Sequence, residues 1–378
     1  DKTSGCGAAR TIGQADALRA YQRAECFFNR RRSANLARWF SYGLGIMATL
    51  YDARGNRYAV VSPAQLRDAG LDIPPTAAEA ARFSTRWAAA AIEAFCRADG
   101  GQAPATKRHA TDGLLVGPFQ QAAPFDLLII NTDGSLAERS GNGLTIFAQS
   151  LMDSGLVKPG ALFHLNVHHH GASVDSPVST LLTSASYGDV DGFWLDMGTP
   201  AFGAQAAGAS GQLSTTEGSS IASVHALQTV NPAWHSSVFV RIGNPHCVTL
   251  LQRPADLPTM DWLRSTGFAA LKAIAFATSK QNGGAGDPCP LGVNLQWAVA
   301  IDKQRIQARV FERGEGPTMS SGTSACAVAS AVWHTRQVTA GEIEVQMPGG
   351  TAPVRLVGND GRLDQVCLFG VATRLVNG

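Results

Sequence analysis

Two short runs place serine, glycine and small polar residues where they could act on an amino-acid-like ligand. They are Ser140-Gly141-Asn142-Gly143 and Ser321-Gly322-Thr323-Ser324. Each run stands directly before a stretch whose apolar residues recur at helical spacing. The first turn of a helix exposes unpaired N–H groups and a partial positive charge. Glycine lets an anion approach that backbone closely. Two such helix starts aimed at one cleft could hold a carboxylate and present a hydroxyl to either side of a carbon atom. Taken singly, each serine also reads as an ordinary N-cap, a position serine favours. The paired occurrence favours a shared site.

The two runs sit in related surroundings. Leu127 to Leu151 reads as strand, polar turn, Ser-Gly-Asn-Gly and helix, and Arg305 to His334 reads as strand, polar turn, Ser-Gly-Thr-Ser and helix. A repeat of so long a unit points to two related halves rather than a solenoid of short units. A ligand is then expected between them.

Longer segments give a family resemblance. Asn131-Thr132-Asp133-Gly134-Ser135-Leu136-Ala137-Glu138-Arg139-Ser140-Gly141-Asn142-Gly143 resembles the first active-site signature of diaminopimelate epimerases, and Phe311 to Ala327, carrying Glu312-Arg313 and Ser321-Gly322-Thr323, resembles the second. Arg54-Gly55-Asn56, Gly243-Asn244-Pro245-His246 and Gly292-Val293-Asn294 fit in order. So do Asp196-Met197-Gly198-Thr199-Pro200 and Leu368-Phe369-Gly370-Val371-Ala372. The resemblance spans roughly residues 50–375.

The resemblance implies a role for each matching position. Asn56, Asn131, Asn244 and Asn294 would hydrogen-bond the polar ends of the substrate. Glu312 and Arg313 would grip its amino and carboxylate groups. Gly141, Asn142, Gly322 and Thr323 would supply backbone donors at the helix starts. His246 and Glu312 would orient and tune the two catalytic groups, Ser140 and Ser321. The chain departs from the family at the centre, because family racemases carry cysteine where it has Ser140 and Ser321. A thiol has a reference pKa of ~8.5, and a helix start can lower it into the working range. A hydroxyl is less acidic by about five units, roughly 7 kcal/mol of proton-transfer barrier at ~1.4 kcal/mol per unit. Three readings stay open: a family member with different chemistry, a racemase whose cysteines have been replaced, and a binding protein that has lost catalysis. With native serines, His246 or Glu312 would take the proton, and a one-base double-bond isomerase or lyase becomes a rival to a racemase.

The expected fold is α+β. Two pseudosymmetric domains each wrap a sheet around a central helix, behind an N-terminal helical extension. The expected boundaries are 1–40 for the extension, 41–188 and 189–360 for the two epimerase-like domains, and 361–378 for a closing strand returning to the first. Residues 1–40 read as helices that cap the fold or join an oligomer, with a homodimer open. Gly55-Asn56 reads as a hairpin turn. Residues 76–98 read as Ala-rich helix, and 203–220 as a surface loop.

Composition fits this reading and excludes others. The 378 residues suffice for two domains, and 45% hydrophobic with 16% charged content is that of a soluble globular chain. A formal net charge of +2 lacks the basic stripe of a nucleic-acid binder. No apolar run reaches the ~18 residues of a membrane span, and the N-terminus lacks the apolar core of a secretory signal. Seven cysteines without C-x-x-C spacing suit free thiols in a reducing cytoplasm. Cys326 falls at core spacing and reads as packing. Adjacent His246 and Cys247 would point to opposite faces of a strand. His164 and His168-His169-His170 read as an exposed strand end rather than a metal site. No hydrolase elbow, P-loop or dinucleotide fingerprint occurs. The expectation is therefore a cytoplasmic isomerase of amino-acid metabolism, with lysine biosynthesis the family's setting. It would use no cofactor or metal, and would take a small amino-acid-like substrate, with no nucleic acid and no membrane as partner.

Overall fold

The computed structural model describes residues 48–97, 109–171, 175–215, 220–279, 283–359 and 361–375. The expected helical extension over 1–40 lies outside them.

Among the described residues, nineteen strands follow in order as β1 Thr49–Ala53, β2 Asn56–Val61, β3 Gly113–Val116, β4 Phe125–Asn131, β5 Leu162–Val167, β6 Val178–Tyr187, β7 Val190–Asp196, β8 Ala201–Phe202, β9 Leu213–Thr215, β10 Ile221–Val224, β11 Ser237–Ile242, β12 Asn244–Leu250, β13 Asn294–Ala300, β14 Arg305–Glu312, β15 Gly316–Thr318, β16 Gly341–Met347, β17 Gly350–Asn359, β18 Arg362–Gly370 and β19 Thr373–Arg374. A 13-residue helix, Gly141–Asp153, lies between β4 and β5, and another of the same length, Gly322–His334, between β15 and β16.

The pairing pattern occurs twice. In the first unit, β1–β2 is antiparallel, β2–β3 parallel, β3–β4 antiparallel, β4–β5 parallel, and β5–β6 and β6–β7 antiparallel. In the second, β11–β12, β12–β13, β13–β14, β14–β16, β16–β17 and β17–β18 repeat those senses in the same order. The repeat therefore extends well beyond the two segments visible in the sequence. Antiparallel β7–β18 pairing joins the units, and β19 returns to pair with β1.

Both long helices are buried along most of their length. Leu144, Ile146, Phe147 and Leu151 of one, and Ala325, Cys326, Val328 and Val332 of the other, share one apolar cluster with residues from both units. At ~1.5–3 kcal/mol for each fully buried large aliphatic or aromatic side chain, this cluster is what holds the helix starts in place. Cys326 is fully buried in it, which agrees with a packing role. His246 and Cys247 are both fully buried, and Cys247 packs into a separate cluster.

Four local readings need correction. The β1–β2 turn is Arg54-Gly55, with φ of 54° and 88°, and Asn56 already belongs to β2. The Ala-rich region breaks into Ala77–Arg82, a 3-10 turn at Ser84–Arg86, and Ala88–Phe95. Trp87 turns inward at the break and donates its Nε1 proton to the Ala80 carbonyl at 3.1 Å. The 203–220 region holds a one-turn helix, Ala204–Ala207, closed by Gly208 in the left-handed conformation, and then strand β9. Small alanines let that turn pack on β11. Finally, His168 and His169 are buried rather than exposed, and His168 Nε2 lies 3.5 Å from Asp126. Among the described residues, no group of three or more metal-ligating side chains gathers, and no helix is long and apolar enough to cross a membrane.

Candidate active site

Ser140 and Ser321 are both N-caps in extended conformation. The Ser140 Oγ accepts the Gly143 N–H at 3.1 Å, and the Ser321 Oγ accepts the Ser324 N–H at 3.4 Å. Each cap satisfies one orphan donor and leaves the N–H groups of the first turn open toward the cleft. Gly141 and Gly322 occupy corresponding first-turn positions beside Leu368 of β18. A Cβ would meet Leu368 Cδ2 at 3.6 Å on Gly141 and at 2.4 Å on Gly322. Leu368 thus stands between the two helix starts, in close approach to Gly322 and at ordinary contact distance from a Cβ on Gly141.

The two serines have unequal partners. Ser321 Oγ donates to Glu312 Oε1 at 2.7 Å. Burial pushes the Glu312 carboxyl above the usual carboxylate range, while the hydrogen bond from Ser321 pulls it back and the Glu315 charge pushes it further up. Among the described residues, no such carboxylate hydrogen bond reaches Ser140. Tyr58 shares the cleft wall with it, and the Ser140 hydroxyl acts on the phenol. Asn131, at the end of β4, instead donates its Nδ2 proton to Ser135 Oγ at 2.9 Å and so holds the turn leading to Ser140.

Both helix starts line one cleft of about 960 Å³. Ten of the residues singled out from sequence meet there: Asn56, Asn131, Ser140, Gly141, Asn142, Asn244, Glu312, Ser321, Gly322 and Thr323. His246, Asn294 and Arg313 do not reach its wall. Asn294 is 4% exposed, and its Oδ1 accepts the backbone N–H of Arg313 at 2.7 Å. The Arg313 guanidinium donates to the Leu291 carbonyl at 3.1 Å.

His246 stands behind the first turn of the Gly322–His334 helix. Its Nδ1 accepts from Gln296 Nε2 at 2.9 Å, and the same amide donates to Ser324 Oγ at 3.0 Å. An accepting Nδ1 leaves the proton of the neutral ring on Nε2, which meets no hydrogen-bond partner among the described residues. Burial, with the Arg313 charge second, lowers the imidazole to about 3, against a smaller opposite effect from Gln296. A group held below its unfolded pKa adds stability above that unfolded value and loses it as the pH falls. Between pH 7.5 and 5, His246 should thus account for about 2 kcal/mol of lost stability. Urea unfolding at both pH values should show a correspondingly smaller loss for His246→Asn, and equal losses would mean that the ring is protonated in the fold.

Several cleft residues escaped the sequence reading. Arg54 and Arg139 are cations on its wall. Arg54 donates to the Phe369 carbonyl at 3.3 Å, and Arg139 donates to the Asp196 carbonyl. The Nε of Arg139 is buried without a hydrogen-bond partner among the described residues. Tyr58 follows Asn56 by two residues, as His246 follows Asn244. That parallel spacing is the signal that could have found it.

Two helix starts converging between repeated mixed sheets define an epimerase-type scaffold. A solved phenazine biosynthesis protein of the PhzF family from Bacillus anthracis shares the fold at TM-score 0.50 and 11% identity, over 87% of this chain and 96% of that one. Residues 238–374 match the family model described as diaminopimelate epimerase. Diaminopimelate epimerase 2 of Nostoc sp. (strain PCC 7120 / SAG 25.82 / UTEX 2576) is 30% identical over 311 residues, covering 81% of this chain and 87% of that protein. Diaminopimelate epimerase of Synechococcus sp. (strain JA-2-3B'a(2-13)) is 30% identical over 242 residues, 63% of this chain and 73% of that protein. The chain belongs to the diaminopimelate epimerase family and is an isomerase of the diaminopimelate epimerase-like type.

Proposed function

We propose that this isomerase moves the α-proton of a small amino acid or related carboxylate inside the cleft between residues 41–188 and 189–360. The observation that carries the reading is the Ser321–Glu312 hydrogen bond at one helix start, with Ser140 at the other start on the same cleft. The substrate carboxylate lies against the N–H groups of Gly141, Asn142, Gly322 and Thr323, where helix starts favour an anion. Arg139 and Arg54 add positive charge, and Asn56, Asn131 and Asn244 offer amides to the remaining polar ends. Glu312 takes the proton, with Ser321 fixing its carboxylate toward the substrate. A base with a raised pKa works closer to neutral pH, where proton transfer is best driven. His246 serves the site from behind, as a neutral ring supporting the second helix start. Asn294 holds the strand end that carries Glu312 and Arg313. The chemistry needs no cofactor, because both proton positions are served by side chains of the chain itself.

A second reading has support in the same geometry. Glu312 is paired with Ser321, while among the described residues no carboxylate hydrogen bond to Ser140 occurs, so a one-base double-bond isomerase or lyase is the rival. Incubation in D2O with L- and D-amino acids, diaminopimelate isomers first because of the relatives' names, separates the cases. The expected result is deuterium at Cα with inversion. Exchange without inversion would favour one-base chemistry, and binding with the α-proton untouched would leave only an amino-acid-binding protein.

A further inference from the structure

The strand registers set the two halves of the cleft in correspondence. In the first unit Tyr58 pairs with Gly113 across β2–β3, and Gly113 pairs with Asn131 across β3–β4. In the second, His246 pairs with Asn294 across β12–β13, and one step beyond the Leu295–Phe311 pair Asn294 stands opposite Glu312. Asn131 precedes Ser140 by nine residues, and Glu312 precedes Ser321 by nine. Tyr58 therefore holds the place of His246, Gly113 that of Asn294, and Asn131 that of Glu312. The exchange is physically coherent. A Cβ on Gly113 would meet the Tyr58 ring at 2.7 Å, so a glycine is what gives the larger ring room. Tyr58 is 7% exposed and lines the cleft together with Ser140, whose hydroxyl acts on its phenol. His246, by contrast, is turned to Gln296 and does not reach the cleft wall.

We propose that Tyr58 is the positioning residue of Ser140, holding its hydroxyl and resupplying its proton, so that the cleft has a carboxylate base on one side and a phenol-backed acid on the other. The inference rests on the α-proton isomerase reading above and adds the acid to it. As the Cα–H bond breaks, its proton passes to the Glu312 carboxylate and the electron pair stays on Cα, spread into the substrate carboxyl. Cα then takes the Ser140 Oγ proton from the opposite face, and Ser140 Oγ takes the Tyr58 Oη proton. Glu312 ends protonated and Tyr58 ends as phenolate, and water entering the cleft resets both. The reverse direction uses the same steps backwards. Burial pushes the Tyr58 phenol up, opposed by the Ser140 hydroxyl, and Asp112 and Glu315 are the charges that act on it, both raising it. A raised phenol stays protonated at neutral pH, as a proton donor must.

Tyr58→Phe keeps the ring and removes only the hydroxyl. In D2O, the enantiomer whose α-hydrogen faces Glu312 should still exchange within a few-fold of the wild-type rate. Exchange of its mirror image, and inversion in both directions, should fall at least ~10²-fold, the lower range for loss of a positioned acid. The alkaline limb of the pH profile should vanish with the phenol. A merely structural Tyr58 would slow both enantiomers equally, and that result would overturn the proposal. A second measurement needs no substrate. Ultraviolet titration of the five tyrosines should move one of them to higher pH in Ser140→Ala, and an unmoved titration would also overturn it. Wild-type protein that exchanges neither enantiomer would sink the isomerase reading and this inference together, whereas wild-type exchange with an unselective Tyr58→Phe sinks this inference alone.

Discussion

Glu312→Gln should cut α-proton exchange by ~10²–10⁴-fold while leaving the fold intact. Positioned general bases contribute ~10²–10⁴-fold, and the Glu312 carboxylate is hydrogen-bonded to Ser321 at the start of the second long helix. Glutamine is nearly isosteric, and its amide oxygen can still accept the Ser321 hydroxyl, so the second helix start keeps its geometry. The burial that raises the Glu312 carboxyl also sets the pH dependence. Activity should rise with pH through that raised pKa, above the usual carboxylate range, because the base works only when ionised. The folding contribution has the opposite sign: a carboxyl raised by burial adds stability at low pH and loses it as the pH climbs through the raised value. Glu312→Gln should therefore flatten the acid limb of the rate and be no less stable than wild type at neutral pH. Proton NMR in D2O with thermal melts across pH measures both. Retention of a tenth or more of the exchange rate would move the base elsewhere.

Ser140→Cys combined with Ser321→Cys should raise exchange on both faces by at least ~10²-fold. A thiol is about five pKa units more acidic than a hydroxyl, and ~1.4 kcal/mol per unit bounds the effect near 7 kcal/mol. Both positions are N-caps, where the helix start favours a thiolate. The gain should fall short of the bound, since each thiolate must also displace an existing arrangement: the Glu312 contact at position 321 and the Tyr58 contact at position 140. Sulfur caps a helix less well than oxygen, so each change should cost roughly 0.5–2 kcal/mol of stability. Either single variant should gain much less inversion, because one face still lacks a thiol. Deuterium exchange and polarimetry on the four proteins decide the matter. A double variant that binds a panel member and shows no faster exchange would mean that the scaffold does not support thiol-type racemisation of that ligand.

Local chemistry made part of this protein legible in its sequence. An N-cap serine, a glycine after it and an apolar period of 3.6 act within a few residues, so both long helices and their starts could be read directly. The polar turn after β4 and the alternation of the strands are local in the same sense. The paired signatures also placed Glu312 on the second motif and both serines on one cleft, because the same unit occurs twice.

What the cleft wall contains was decided by long-range register. Arg313 follows Glu312 directly, yet β14 ends at Glu312 and Arg313 lies in the turn beyond it; Glu312 faces the cleft, and the Arg313 guanidinium turns to the Leu291 carbonyl. The cations on the wall come instead from Arg54, in the positive-φ turn between β1 and β2, and from Arg139, beside Ser140. No local rule distinguishes these arginines from solvated ones. The family resemblance gives His246 a part in tuning the catalytic groups, and the register of β12 against β13 buries it beside Gln296. Its counterpart Tyr58 reaches the cleft because Gly113 leaves room for the ring. Leu368 comes between the two helix starts only because β18 pairs with β7 across the two units. Sequence thus determined which segments form the two helix starts. The pairing of strands far apart in the chain determined which side chains those starts face, since a change of one residue in register turns every side chain of a strand to its other face.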